Sequence, residues 1–336
     1  MAILVTGASG FLGTALVSKL LAKGHRVYGL SRHPPEARDN LISLKGDILE
    51  HNLGLSEVPV DIRAVHHLAA IHRLGEDKDG SIWKTNVEGT QNVIDFCLKH
   101  NIPHLYFTST AYTQGRNVYE RSKALCETMV KASAIPKVTI FKPPIIMGTA
   151  EHFYPGHFSQ FVALVMKIHQ RAEIVRRKIE GTLRLPLIEP VFRMRANPEG
   201  KLNLIPIDAV VDAMAEIKKE GTFWLTHPDP PTLTQLVEWV GSLIMVKIQI
   251  EPLFRATPVE AVFTKLSAAF TPYLWGDDFP SDLRKCPPIT KEFITSTITL
   301  ATTSGFSLMN LGKGALGKRL GSKSPGLVIL PTSSAT

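Results

Sequence analysis

The sequence is poor in cysteine. Its 336 residues contain three, Cys97, Cys126 and Cys286, an odd number without close spacing. A disulfide scaffold needs an even set of cysteines, and the common zinc motifs need closely spaced pairs, so neither is predicted. We expect the three thiols to be reduced in a cytoplasmic protein. The chain also begins directly on an apolar segment, which leaves no room for a signal peptide.

Long apolar runs are absent as well. The longest segment without a charged residue, at 293–312, is crowded with Thr and Ser, so we predict no membrane span. Apolar residues make up 44% and charged residues 20%, as is usual for a globular protein. The net charge of +8 favours anionic partners, such as phosphates or acidic carrier proteins. Because no helix-turn-helix, zinc or aromatic–basic pattern accompanies this charge, we do not expect nucleic-acid binding.

The N-terminus carries the most informative pattern. A continuous apolar run at 3–5, typical of a buried parallel strand, is followed by Gly7, Gly10 and Gly13 and by a predicted helix at 14–21. A turn that brings backbone amides against a pyrophosphate leaves no room for a Cβ atom, and the helix beyond it supplies free N–H groups and a positive dipole end. The order of strand, glycine turn and helix predicts dinucleotide binding, with an ordinary glycine-rich turn as the alternative.

The end of the second predicted strand, at 26–30, bears on the choice of cofactor. NAD-binding folds usually place Asp or Glu about twenty residues past the glycines, where it binds the ribose hydroxyls. Here Ser31 and Arg32 occupy that place, and no carboxylate occurs before Glu36. A guanidinium makes charge-assisted bonds to a 2′-phosphate, so we favour NADP(H) over NAD(H). The alternative is that Arg32 is a solvated loop residue.

Further apolar segments predict four more strands and a helix. The strands lie at 41–45, 64–68, 104–108 and 138–141, and the helix lies at 83–100. Ala69 and Ala70, just after the 64–68 strand, are small enough to let a cofactor backbone pass close by. His66, His67 and His72 suggest a metal at the same place, but no second group of ligands has suitable spacing, so no metal is predicted.

Tyr119 and Lys123 are the strongest catalytic candidates. They stand four residues apart on a predicted helix, on one face, and Tyr119 lies nine residues after Thr110. A nearby ammonium favours the phenolate and would lower the pKa of the tyrosine. Such a tyrosine passes a proton to or from a carbonyl oxygen while a hydride moves to or from carbon, and Thr110 could hold the same oxygen. The alternative is an incidental exposed pair.

These motifs resemble those of the extended short-chain dehydrogenase/reductase family. The resemblance rests on TGASGFLG at 6–13, HLAA at 67–70, TNVEGT at 85–90 and the Tyr-x-x-x-Lys pair. It implies an α/β fold, a doubly wound parallel Rossmann sheet with a smaller C-terminal substrate lobe. It also assigns the catalytic hydroxyl to Thr110, with Ser109 as the fallback, proton donation to Tyr119, and binding of the nicotinamide ribose to Lys123.

Together the motifs and the resemblance predict the residues that bind the cofactor. They lie in the glycine turn, at the ends of the predicted strands, in the 83–100 helix, around the catalytic pair and in the Pro-Pro segment after the 138–141 strand: Gly7, Ser9, Gly10, Phe11, Leu12, Gly13, Ser31, Arg32, Asp47, Ile48, Leu68, Ala69, Ala70, Asn86, Thr108, Ser109, Tyr119, Lys123, Pro143, Pro144, Ile145 and Ile146. Sugar-nucleotide epimerases of this family tend to have Asn in the Pro-Pro segment, so its absence argues against a sugar nucleotide. The loop at 111–118 is shorter than in most relatives, which removes wall from the substrate pocket.

The rest of the chain is divided by composition. We predict a Rossmann domain at 1–148 and 202–225, a substrate lobe at 149–201 and 226–302, and a Gly/Ser/Lys-rich tail at 303–336 that is mobile or weakly packed. An amphipathic helix at 157–174 is assigned to the lobe, and a capping box at Thr232 begins another helix. Nine Lys and Arg against four Glu give residues 167–201 a local net charge of +5. This is either a solvated basic face or a surface for coenzyme A phosphates or an acidic acyl-carrier protein.

The segments STAY, YERSK and THPDPPTLTQLVEWV resemble the thioester-reductase and fatty-acyl-reductase branch of the family. The resulting hypothesis is an NADP(H)-dependent oxidoreductase that acts on a small-molecule substrate, with an acyl thioester reduced to an aldehyde or alcohol as the best substrate. Three alternatives stay open: a ketone or alcohol dehydrogenase of the hydroxysteroid or flavonol-reductase kind, a sugar-nucleotide epimerase or dehydratase, and a non-enzymatic NADPH-binding sensor or scaffold. The resemblance leaves monomer and homodimer open.

Overall fold

The computed structural model describes residues 1–154, 156–184 and 191–303. Its strands, in chain order, are β1 Ala2–Thr6, β2 Arg26–Ser31, β3 Leu41–Lys45, β4 Ile62–His67, β5 His104–Thr108, β6 Lys137–Lys142, β7 Ile145–Met147, β8 Phe192–Arg195, β9 Leu204–Pro206, β10 Gly221–Trp224 and β11 Ile248–Glu251. Seven of them form one all-parallel sheet in the order β3-β2-β1-β4-β5-β6-β10. This is the doubly wound Rossmann order, extended by one strand, and it confirms the predicted fold class.

The helices pack on both faces of that sheet and around a second, smaller part. They are α1 Phe11–Ala22, α2 Ser81–Trp83, α3 Gly89–Lys99, α4 Val118–Ala132, α5 Gly156–Leu183, α6 Ile207–Glu216, α7 Leu233–Ile244, α8 Pro258–Leu266 and α9 Lys291–Thr303. Short 3-10 segments lie at His51–Gly54 and Thr271–Trp275.

Strand β1 shows why the predicted strands are continuously apolar. Ala2 and Leu4 belong to the core under α3 and α4, whereas Ile3 and Val5 belong to the core under α1 and α6. Because helices cover both faces, every residue of this strand is buried, and no polar alternation is possible.

The smaller part contains two short parallel sheets, β7 with β9 and β8 with β11, together with α5, α7, α8 and α9. The predicted capping box is confirmed: Thr232 Oγ1 accepts from the Gln235 backbone N–H, and the Gln235 side chain accepts from the Thr232 backbone N–H. Both β7 and β9 fall in the ranges predicted for the Rossmann domain but pair outside its main sheet.

Two helices differ from the sequence prediction. The helix predicted at 83–100 contains a π-helical segment, Lys84–Glu88, between α2 and α3. Helix α5 continues to Leu183, beyond the predicted end at residue 174. The last buried apolar residue of α5 is Ile168, and Arg176 pairs with both Glu173 and Glu180 in the turns beyond it. These i,i+3 and i,i+4 ion pairs stabilise the last turns of α5, which bury no apolar side chain.

The predicted tail at 303–336 lies outside the described residues, apart from its first residue, which ends α9. Across the ranges that the structure covers, no helix combines the length and the apolar character needed to cross a membrane. In the same ranges the three cysteines are free; Cys97 and Cys126 are buried and Cys286 is half-buried.

Candidate active site

A cavity of about 330 Å³ lies at the carboxyl ends of β1, β4, β5 and β6, between the main sheet and the smaller part. This is the place where doubly wound sheets bind ligands, because the strand order reverses there. Many of the predicted site residues line it: Gly7, Gly10, Phe11, Leu12, Gly13, Leu68, Ala70, Thr108, Ser109, Thr110, Tyr119, Lys123, Pro143, Pro144, Ile145 and Ile146. The structure therefore brings the three catalytic candidates and the glycine turn to one cavity.

The glycine turn is held tightly by the protein's own backbone. Gly7 has φ of +72°, and a Cβ atom there would lie 2.9 Å from the Ala69 backbone nitrogen. A Cβ atom on Gly13 would lie 2.1 Å from the Gly7 carbonyl oxygen. Only glycine fits these two positions, since a side chain at Gly7 would push the turn away from the segment after β4 and one at Gly13 would push α1 away from the turn.

The residues around this turn fit a dinucleotide. Among the described residues, no side chain caps the N-terminus of α1, so its first N–H groups remain available to a pyrophosphate. Thr108 Oγ1, at the end of β5, is buried and has no hydrogen-bond partner within the described ranges. A buried hydroxyl without a partner at the cavity edge is consistent with a polar ligand group beside it.

The predicted cofactor residues that do not line the cavity are Ser9, Ser31, Arg32, Asp47, Ile48, Ala69 and Asn86. Ser9 and Ser31 lie beside the turn, with Ser9 Oγ donating to Ser31 Oγ at 3.0 Å. Arg32 is exposed and makes no ion pair or side-chain hydrogen bond with any residue that the structure describes. Its guanidinium is therefore free for a ligand that extends past the turn.

Asn86 and Ile48 are engaged with the protein itself. The Asn86 amide accepts from the Ile71 backbone N–H and donates to the Ile71 carbonyl and to Ser122 Oγ. It thus joins the loop after β4 to α4, the helix that carries Tyr119 and Lys123. Ile48 is buried against Gly89, where a Cβ atom would lie 2.5 Å from the Ile48 Cδ1.

Thr110 is better placed than Ser109 to hold a substrate oxygen. Thr110 Oγ1 accepts from the Tyr112 backbone N–H at 3.2 Å, and its own proton is not used by any bond to a described residue. Ser109 Oγ instead donates to Glu127 Oε1 at 2.5 Å, and Lys142 Nζ donates to the same oxygen at 2.6 Å. The Ser109 hydroxyl proton is thus used in a bond to Glu127, which forms a buried ion pair with Lys142.

The electrostatics of Tyr119 differ from the sequence prediction. Burial raises the pKa of Tyr119, and the nearby charge of Glu120 raises it further. Burial also lowers the pKa of Lys123 to about 8, and its Nζ lies 4.4 Å from the centre of the Phe107 ring. The predicted lowering of the Tyr119 pKa is wrong for this structure, because burial and the charge of Glu120 both raise it. Tyr119 is therefore a protonated phenol, which suits a proton donor.

The shortened loop does not leave the cavity open. Its Arg116 forms an ion pair with buried Glu120 at 3.0 Å and another with Asp277 at 3.0 Å. The Arg116 guanidinium lies 4.5 Å from the centre of the Tyr273 ring, and the Tyr273 hydroxyl donates to Glu120 Oε1 at 2.8 Å. This cluster holds the 3-10 segment Thr271–Trp275 against the N-terminus of α4, so that segment replaces the wall that the short loop lacks.

Sequence reasoning missed most of the wall that faces the sheet. Its residues come from two segments: Tyr154, Gly156, His157, Phe158 and Phe161 in the first, and Phe270, Tyr273 and Leu274 in the second. Four further lining positions were also missed: His72, Leu74, Tyr112 and Leu202. Tyr154 stacks on Phe11 at 4.4 Å between ring centres, and Phe161 contacts Phe270 edge-on at 5.3 Å. The wall is mainly apolar and aromatic. The apolar face of α5 was the one available signal, since Phe158 and Phe161 belong to it.

The three histidines considered for a metal lie in different environments. His67 bonds to Thr6 and Thr90, and His66 stacks on Tyr106 with neither ring nitrogen bonded within the described residues. His72 lines the cavity. In residues 1–154, 156–184 and 191–303, no three His, Cys, Asp or Glu side chains are grouped as metal ligands.

Residues 3–182, more than half of the chain, match the NAD dependent epimerase/dehydratase family. The chain belongs to this family. The match confirms the resemblance to extended short-chain dehydrogenases/reductases, and with it an enzyme of the NAD(P)-dependent type.

Two curated relatives extend this assignment. Over 112 residues the chain is 39% identical to the 2-alkyl-3-oxoalkanoate reductase of Stenotrophomonas maltophilia. The aligned region is 33% of this chain and 33% of that protein. Over 270 residues the chain is 26% identical to sterol demethylase protein B of Methylococcus capsulatus, and the aligned region is 72% of this chain and 74% of that protein. The chain thus matches a third of the length of the first relative and about three quarters of the second.

A solved structure with the same fold is that of MoeE5 in complex with UDP-glucuronic acid and NAD. It has a TM-score of 0.59 at 18% identity, over 90% of this chain and 100% of that chain. At this identity the likeness shows the fold alone.

Proposed function

We propose that the protein transfers a hydride between NADP(H) and a carbonyl or alcohol carbon on an apolar substrate, with ketones as the best substrates. The observation that supports this most is the cavity itself. Tyr119, Lys123 and Thr110 line it on the sheet side, and apolar and aromatic side chains line the opposite side. The geometry suits reduction of a carbonyl buried among apolar groups.

Each catalytic side chain has one task. Thr110 donates its free hydroxyl proton to the substrate oxygen as a hydrogen bond, while Tyr119 gives its phenolic proton to that oxygen as the alcohol forms. The cofactor, when bound, supplies the hydride. Lys123 holds the ribose and, as a cation, offsets the negative charge left on Tyr119. The hydride and the proton together convert the carbonyl to an alcohol and NADPH to NADP⁺.

The preference for NADP(H) rests on Arg32 and Ser31 at the end of β2. An acidic residue at this point would bind ribose hydroxyls and repel a 2′-phosphate. The exposed Arg32, without an ion pair to any described residue, supplies the opposite charge.

The lining argues against a sugar nucleotide as substrate. Among the described residues that line the cavity, Lys123 is the one cation, and it is assigned to the ribose. A second diphosphate would need further cationic partners, because a buried anion without them is strongly destabilised. The names of the two curated relatives, a 3-oxoalkanoate reductase and a sterol demethylase protein, agree with apolar substrates.

An acyl thioester is the second candidate, supported by α5. This helix begins at the cavity and carries Lys167, Arg171, Arg177 and Lys178, which make no ion pair with any residue in the described part of the chain. At 1.5 Å per residue they lie about 9 to 25 Å beyond Phe161 along the helix. The phosphates of coenzyme A or an acidic acyl-carrier protein could bind there while the acyl group enters the cavity.

The test is NADPH oxidation against matched alkyl ketones and acyl-CoA thioesters, with NADH and the Tyr119→Phe protein as controls. We expect ketone-dependent oxidation that the variant loses. Thioester-dependent oxidation lost in the variant would favour the second candidate. Tight NADPH binding without turnover of either class would contradict both and favour the sensor or scaffold alternative.

A further inference from the structure

Two histidines in the cavity have no role in the chemistry described above. His72 lies in the loop after β4, and His157 is the second residue of α5, so they belong to opposite walls. Their ring centres are 4.4 Å apart, and the His72 ring approaches the Tyr119 ring edge-on at 5.9 Å. The pair therefore lies directly beside the proton donor.

The hydrogen bonding of these rings is incomplete. His157 Nδ1 lies 3.3 Å from Gln160 Oε1, which fixes its proton on Nδ1 and leaves Nε2 as an acceptor. Nε2 is buried and has no hydrogen-bond partner among the residues described. The backbone of His72 lies nearby and acts to raise the pKa of His157, against the effect of burial. Neither nitrogen of His72 bonds to a side chain in the described ranges. His157 Nε2 is therefore unfavourably placed unless a ligand or water satisfies it, whereas His72 is an exposed residue.

The surroundings of both rings disfavour their charged forms. Burial of the ring lowers the pKa of His72, and a positive charge on His157 or Lys123 lowers it further. Burial likewise lowers the pKa of His157. Two neutral imidazoles offer both a donor and an acceptor, which suits a carbonyl or hydroxyl oxygen rather than a phosphate.

We propose that His72 and His157 form a subsite for a second oxygen atom of the substrate, next to the oxygen held by Tyr119 and Thr110. The proximity of His72 to Tyr119 places the two oxygens a few bonds apart, as in a 3-oxo ester or a 3-hydroxy ketone. The subsite rests on the proposed function and deepens it, because it selects carbonyl compounds with two nearby oxygens over simple ketones. Its donors and acceptors are surrounded by mainly apolar lining residues, so the second oxygen also fixes which carbonyl faces Tyr119.

The test compares methyl 3-oxodecanoate with 5-dodecanone, in which methylene groups replace the ester. The wild-type protein should prefer the oxo ester in kcat/KM, and His72→Leu and His157→Leu should each reduce that preference about tenfold, the loss expected for one hydrogen bond. His72→Asn, which keeps a donor and an acceptor, should restore part of it. His169→Leu, on the same helix as His157 but outside the cavity, should leave the preference unchanged.

Binding measurements distinguish a failure of the subsite from a failure of the proposed function. Titration calorimetry of both compounds into the Tyr119→Phe protein with NADP⁺ should show the same preference without turnover, and the same loss in the histidine variants. A binding preference without turnover in the wild type would retain the subsite and overturn the proposed function. Equal loss for the oxo ester and the ketone in the histidine variants, or no preference in the wild type, would overturn the subsite.

Discussion

The two walls of the cavity are built in different ways. The sheet wall consists of residues that follow β1, β4, β5 and β6 and of the first two turns of α4. The lobe wall consists of Tyr154, Gly156, His157, Phe158, Phe161, Phe270, Tyr273 and Leu274. The sheet wall carries glycine backbone, hydroxyls and the Tyr119–Lys123 pair, whereas the lobe wall is aromatic. If the proposed function is correct, the sheet wall sets the reaction type, and the lobe wall together with His72 sets the choice of substrate.

The walls are joined at one buried cluster. Glu120, the residue after Tyr119, bonds to Arg116 of the 111–118 loop and to Tyr273 of the lobe wall. The position of Tyr119 therefore depends on the lobe wall as well as on the sheet. Changes in the sheet wall should affect chemistry, and changes in the cluster should affect stability.

The largest effect is expected from Tyr119→Phe. Loss of the phenolic proton should reduce kcat/KM about 10²- to 10⁴-fold, the usual contribution of a general acid, while NADPH binding is kept. The matched control is Tyr28→Phe, since the Tyr28 hydroxyl bonds to Asp61 away from the cavity. Steady-state kinetics and fluorescence titration with NADPH check both parts. Retained activity in Tyr119→Phe would show that the phenol of the sheet wall does not take part in the reaction.

Glu120→Ala tests the joint between the walls. The Glu120 side chain is fully buried, so its removal leaves Arg116 and Tyr273 with unmet bonds. We expect the free energy of unfolding to fall by about 3 kcal/mol, at the low end for a broken buried pair because Asp277 still pairs with Arg116. Denaturant unfolding measures this, with the exposed Glu88→Ala as control. An unchanged midpoint would mean that the walls are held together elsewhere.

Arg32→Ala should act on the cofactor alone. Loss of a charge-assisted bond to the 2′-phosphate should weaken NADPH binding about 10- to 100-fold and leave NADH binding nearly unchanged. The exposed Arg63 lies on β4 and gives the control Arg63→Ala. Equal effects on the two cofactors, measured by fluorescence titration, would argue that Arg32 does not contact the phosphate.

The smallest effect is a pH dependence from Lys123. Its pKa is lowered to about 8, so its ammonium is lost as pH rises past that value, and kcat/KM should then fall towards tenfold per pH unit. The same shift has the opposite effect on stability. The unfolded chain binds more protons than the folded one between about 8 and the ordinary value of 10.5, so the contribution of this group to stability rises with pH across that window. A kcat/KM profile that stays level above pH 8 would contradict the assignment of Lys123.

The sheet wall was predictable because short-range rules determine it. The apolar run at 3–5, the glycines after it and the Tyr119–Lys123 spacing each specify local geometry, and parallel strands bring their carboxyl ends to one edge. The environment of Tyr119 was not predictable in this way. Its raised pKa depends on burial in the folded chain and on Glu120, and the spacing of Tyr119 and Lys123 carries no information about burial.

The lobe wall was not predictable for a related reason. Phe270 and Tyr273 lie more than a hundred residues from Tyr119, in a segment without helical or strand periodicity, and only packing brings them to the cavity. The sequence showed that the 111–118 loop was short, but not that Thr271–Trp275 takes its place. His72 and His157 were likewise unremarkable until the fold placed them together.

The central claim is that a hydride is transferred directly from NADPH to the carbonyl carbon of an apolar substrate, with the carbonyl held at the sheet wall. The measurement that tests it most directly is a single turnover with NADPH deuterated at the transferable position of the nicotinamide and methyl 3-oxodecanoate as substrate, followed by mass spectrometry of the product. The account predicts one deuterium on the carbinol carbon with the wild-type protein, and the same product formed about 10²- to 10⁴-fold more slowly with Tyr119→Phe. A product without deuterium, or cofactor bound with no product formed, would contradict it.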